Sequence, residues 1–77
     1  MILKNLKHGE VRPGDVFVWE GDLVGNTRAR YDLVVSVHVT GEFVYYWCFE
    51  LSSLKIWSSQ SAYKSTPLYP HVLRVEP

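Results

Sequence analysis

Four side chains of this sequence are of the types that do acid-base, nucleophilic or metal chemistry near neutral pH: His8, His38, His71 and Cys48. Zinc is held by three or four such ligands, in structural sites at short and recurring spacings. Here the histidines lie about thirty positions apart, each in a different element, with one cysteine to share among them. That pattern predicts no metal site and no cofactor. Cys48 with a histidine base would be a nucleophile pair. It falls in the middle of an alternating stretch beside Val44 and Tyr46, however, and a cysteine there reads as a small buried apolar residue. The glycines 9, 14, 21, 25 and 41 are isolated, so no glycine-rich loop cradles a phosphate. No catalytic constellation is expected, and the chain is not read as an enzyme.

Charge narrows the partners. Eight lysines and arginines balance eight aspartates and glutamates. The two signs are interspersed, and Arg28 with Arg30 is the nearest approach to a basic cluster. Nucleic-acid binders carry a basic stripe or excess, so a sequence-independent phosphate role is disfavoured. One cysteine allows no intrachain disulfide, and small secreted domains commonly need them. The first ten residues alternate apolar Ile2, Leu3 and Leu6 with Lys4 and Lys7, unlike a signal peptide. A cytoplasmic setting and no membrane association are the expectation.

The elements that would position any site are strands. Pro13-Gly14-Asp15 is a turn signal leading into Val16-Phe17-Val18-Trp19-Glu20. Glycines at 21 and 25 make residues 21–30 a loop. From Tyr31 to Val39 the residues alternate strictly: Leu33, Val35, Val37 and Val39 on one face, Val34, Ser36 and His38 on the other. Thr40-Gly41 turns into Glu42 to Phe49, which puts Phe43, Tyr45, Trp47 and Phe49 opposite Val44, Tyr46 and Cys48. After a turn at Leu51-Ser52-Ser53 comes Leu54 to Ser58. Pro67 and Pro70 interrupt the next stretch, and Val72 to Val75 closes the chain. Single helical turns fit only within Ile2 to Lys7 or near Ser61. The 77 residues are thus read as one all-β domain, a single small barrel of about five short antiparallel strands.

The element order resembles an SH3-like small barrel, which implies that the last strand returns beside the first. The stretch Arg12-Pro13-Gly14-Asp15-Val16-Phe17-Val18, followed by Arg30-Tyr31-Asp32-Leu33-Val34-Val35-Ser36-Val37, resembles the opening of MazF/PemK toxin ribonucleases. That resemblance implies an RNA-facing loop over residues 21–30 ended by Arg30. Tyr31 stands where that family has a proline, and the family's later threonine or serine motif has no counterpart. Ribonuclease action is therefore the minor expectation. The opening Pro-Gly-Asp-Val-Phe-Val-Trp and the closing Val-Leu-Arg-Val are similar in style to small phage-encoded proteins.

Three tryptophans, five tyrosines and three phenylalanines exceed what a barrel of this size can enclose. With aliphatic Val16, Val18, Leu33, Val35 and Val37 inside, part of the aromatic set must face outward and mark a contact surface. The expected function is a non-catalytic protein-binding module, a phage-type inhibitor or modulator of a host protein. It would bind through Trp19, Tyr31, Tyr45, Trp47 and Trp57 or through an edge strand, and an exposed edge leaves a homodimer open. The alternative is a nucleic-acid-binding barrel that stacks bases on the aromatics and sets Arg28, Arg30, Lys55 and Lys64 on phosphates.

Overall fold

A computed structural model describes residues 2–19 and 29–75 of the chain. Among these residues seven strands form one antiparallel sheet: β1 (Ile2–Lys4), β2 (Val16–Trp19), β3 (Arg30–Thr40), β4 (Phe43–Glu50), β5 (Lys55–Ser58), β6 (Ala62–Tyr63) and β7 (His71–Arg74). Their hydrogen-bonded order is β1-β7-β2-β3-β4-β5, and β6 pairs with β4 alongside β5. The all-β architecture of the sequence reading stands. The count of about five strands is corrected to seven, and the sheet is an open path rather than a closed barrel. The two unforeseen strands, β1 and β6, are three and two residues long. They exist because longer neighbours offer them a ladder, not because of any pattern of their own. Among the described residues the one helical element is a 3-10 turn at His8–Glu10, just past the segment where a turn is expected.

Turn chemistry sets the registers. Pro13 and Gly14 occupy the middle of a turn closed by the Asp15 N–H on the Arg12 carbonyl at 3.1 Å, with Gly14 at φ +93°. Proline first and a positive-φ glycine second is the demand of a type II turn. Gly41 and Glu42 join β3 to β4 as a two-residue loop, with positive φ at Gly41 alone (+60°), as a type II′ hairpin turn requires. This pins Thr40 opposite Phe43.

One irregularity decides which side chains point inward. The β3–β4 pairing slips between Val34 and Ser36, a β-bulge that leaves Val35 unpaired. An extra residue in one strand reverses the alternation beyond it. Leu33 therefore faces outward while Val37 and Val39 pair with Tyr46 and Val44 on the inner side. The expected face of Leu33, Val35, Val37 and Val39 is broken in two. The core is correspondingly not the aliphatic set Val16, Val18, Leu33, Val35 and Val37, of which only Val37 packs against it. It is Val11, Phe17, Val34, Val44, Tyr46, Cys48 and Val72, with Leu6, Trp19, Val37, Trp57 and Leu68 packed around it. His38 faces outward on the same side as Leu33, not opposite it, for the same reason.

Two polar links fasten the core. Arg74, on β7, donates from Nε and Nη2 to the two carboxylate oxygens of Asp15 at 2.8 Å each, and from Nη2 to the Glu10 carbonyl. Tyr46, wholly buried, donates its hydroxyl to the His8 carbonyl at 2.7 Å, and its ring stacks on the His8 imidazole. The first link ties the last strand to the turn before β2. The second ties the 3-10 turn to the centre of β4.

Candidate functional site

The strand registers give the sheet two faces of opposite chemistry. On the inner face, Phe17 lies between Val72 and Asp32, and the row continues through Glu50 to Lys55. On the outer face, the next row runs Leu3, Leu73, Val16, Leu33, Phe49, Ile56. Every member is apolar, and every adjacent strand pair from β1 to β5 contributes a directly opposed couple. Leu3 and Ile56, at the two ends, are 57% and 65% exposed. Beside this row lie Val18 with Tyr31 and His71, and Trp47 with Ser36 and Ser58. Farther along the hairpin, His38 stacks on Tyr45 with ring centres 4.8 Å apart, and Phe43 packs on Tyr63 at 4.6 Å. Among the described residues, no outward strand position holds Asp, Glu, Lys or Arg. An antiparallel sheet with one face on the core ordinarily turns polar residues to water on the other. This one turns leucine, valine and aromatic side chains.

A shallow cleft adjoins the row, with a volume of about 240 Å³, lined by Val18, Tyr69, Pro70 and His71. Its imidazole is oriented by Asn5, whose Oδ1 lies 2.6 Å from His71 Nδ1.

The five aromatics singled out from sequence divide between the faces. Tyr31, Tyr45 and Trp47 face outward, with Tyr31 43% and Trp47 42% exposed and Tyr45 half-buried under its stack with His38. Trp19 and Trp57 face inward and are half-buried. Trp19 donates its indole N–H to Asp32 at 2.7 Å. The indole nitrogen of Trp57 is buried, with no hydrogen-bond partner among the described residues. Sequence reasoning missed all six row members: Val16 and Leu33 were read as interior, and Leu3, Leu73, Phe49 and Ile56 were not singled out. Their signal was pairing across strands, which no single strand displays.

Of the four cations of the alternative reading, the three that are described do not gather either. Arg28 lies outside the described residues. Arg30 is held by the fully buried Asp32, with Nη2 at 3.0 Å and Nε at 3.1 Å from one carboxylate oxygen. Glu50 stands 3.8 Å from the same Nε. The guanidinium also sits 5.9 Å from the ring centre of Trp19 and 5.4 Å from that of Trp57. Its hydrogen bond to Asp32 holds its pKa above the ordinary arginine value, against the opposing effect of burial. Lys55 is exposed, opposite Glu50 in register. Lys64 packs beside the 3-10 turn, its carbonyl accepting from the Gly9 N–H at 2.9 Å.

Cys48 is buried between Val34 and Trp57 on neighbouring strands, and burial with the nearby Asp32 charge pushes its thiol up to about 12. Such a thiol is protonated and enclosed, the reverse of an activated nucleophile. Ser36 Oγ and His38 Nε2 are 2.9 Å apart on the outer face. No group of three His, Cys, Asp or Glu side chains suited to a metal ion occurs among the described residues. No helix among them is long and apolar enough to cross a membrane. Comparison with protein-family models, curated proteins and solved structures finds no match.

Proposed function

We propose that this chain is a non-catalytic protein-binding module whose contact surface is the outer face of the sheet. The observation that carries this reading is the unbroken apolar row from Leu3 to Ile56, on a face whose described strand positions hold no ionic side chain. Exposed contiguous apolar surface of this kind marks interaction sites. Tyr31 and Trp47 rise beside the row as the aromatic anchors that interfaces favour. The cleft at Val18, Tyr69, Pro70 and His71 falls below the ~300–1,000 Å³ typical of small-molecule sites. It suits one inserted side chain rather than a cofactor.

The SH3-like relationship is supported by β7 lying beside β2, and the small modulator of a host protein remains the role that size and neutrality favour. A nucleic-acid role is disfavoured because a phosphate at Arg30 would compete with Asp32 and approach Glu50. RNA cleavage through that arginine is disfavoured on the same ground.

The test is affinity capture from a lysate of the native cell, with and without nuclease, using wild type and Ile56→Asp. A stoichiometric protein that survives nuclease and is lost with Ile56→Asp is the expected result. Captured material that vanishes on nuclease treatment would overturn the reading.

A further inference from the structure

We propose that the outer face is a two-fold interface between two copies of this chain, an inference that rests on the reading of that face as a contact surface.

A two-fold interface is made by one patch meeting itself, so the patch must be complementary to its own image. The row has an even number of members, one from each strand of the path, and its midpoint falls between Val16 of β2 and Leu33 of β3. A two-fold axis lying in the interface, parallel to these strands and through that midpoint, reverses the order of the row. Leu3 then lies over the partner's Ile56, Leu73 over the partner's Phe49, and Val16 over the partner's Leu33. Each couple is apolar on both sides. The two most exposed members, at opposite edges of the sheet, cover each other. Face-to-face sheets pack about 10 Å apart with interdigitating side chains, which this arrangement supplies.

Charge points the same way. When a face meets itself, any ionic side chain near the axis meets its like, and such juxtapositions cost several kcal/mol. The described outward positions hold none, and the whole chain has a formal net charge of zero.

Size sets the strength. Five interstrand spacings of ~4.8 Å make the row about 24 Å long, and the outer positions from Phe43 to Phe49 run about 20 Å along β4. Such a field lies toward the low end of specific interfaces, where partners bury less than about 600 Å² each. Interfaces of that size belong to weak, transient association, for which about 1–100 μM is the range to search.

Sedimentation velocity from about 1 to about 500 μM brackets that range. The expected result is a mass rising from 8.9 kDa toward twice that value. Ile56→Asp should hold the chain monomeric. Leu54→Asp, at a residue that is also exposed but lies in a turn off the row, should dimerise like wild type. Far-ultraviolet circular dichroism establishes that each variant is folded. The geometry is read separately: a mixture of Leu3→Cys and Ile56→Cys proteins should cross-link with a short bismaleimide, and neither protein alone should. A wild type that stays at 8.9 kDa throughout, an Ile56→Asp protein that dimerises normally, or a mixture that fails to cross-link would each overturn the proposal. The contact-surface reading is judged apart from these, by whether the monomer captures a nuclease-resistant protein that Ile56→Asp loses.

Discussion

Arg74 and Asp15, 59 positions apart in sequence, meet in a two-pronged ion pair that is almost wholly buried. Burial by itself raises the Asp15 carboxyl. The hydrogen bonds from Arg74, the Arg12 N–H bond at 2.8 Å, and the charges of Arg74 and Arg12 outweigh it and bring the carboxyl below its ordinary value of 3.8. Removing one partner of a buried pair strands the other. Asp15→Ala is expected to cost about 3–5 kcal/mol, read as a lower denaturant midpoint with unchanged slope.

The same carboxyl gives stability a pH dependence. Its folded value lies below its unfolded value, so the unfolded chain binds the extra proton. Its contribution is complete above about 3.8 and is lost as pH falls through the folded value. His8, lowered from 6.5 by burial, has the same sign: its contribution is full above about 6.5 and declines as pH falls below that. Melting temperature should therefore drop in two stages on acidification. The upper stage should disappear in His8→Gln.

Leu54 holds φ +58° in the turn after β4, a left-handed conformation costly for a leucine, and its side chain is 70% exposed. Leu54→Gly removes that strain and little packing. It should stabilise the fold by about 0.5–1 kcal/mol, measurable as a raised midpoint.

Cys48 is buried, and its thiol is pushed up to about 12. Native protein should leave an aromatic disulfide reagent unreacted at pH 8, while denatured protein reacts within mixing. Labelling of native protein in seconds would contradict the buried placement.

Arg30→Ala leaves Asp32 buried with the Trp19 N–H as its remaining side-chain donor among the described residues. Arg30 is itself partly exposed, so solvent moderates the loss, and about 2 kcal/mol is expected by thermal unfolding. A change below 0.5 kcal/mol would show that the guanidinium is not structural.

The strands that carry their own pattern were legible: β2, β3, β4, β5 and β7 lie within a residue or two of the places alternation gave them. So was the glycine at each tight turn, because only φ > 0 explains Gly14 and Gly41 there. The faces were not. A single extra residue at Val35 inverts the rest of β3, and no local property of Val34-Val35-Ser36 distinguishes a bulge from plain alternation. Of the five aromatics offered as a contact patch, Tyr31, Tyr45 and Trp47 face outward, and Trp19 and Trp57 belong to the Asp32 and Arg30 cluster inside. The apolar row escaped notice for another reason. Its six residues come from six strands, and their alignment exists only once every register is fixed.

The strand order β1-β7-β2 has a consequence for how the protein is made. During synthesis β1 and β2 emerge early, yet neither pairs with the other, because the slot between them belongs to β7, some fifty residues later. The hairpin of β3 and β4 can zip locally, in microseconds. The N-terminal strand has no ladder to join until the C-terminal one arrives and is bonded on both sides at once. The pairing of β1 and the bond between Asp15 and Arg74 both wait on β7, so the two ends of the sheet are joined only when its last strand is in place.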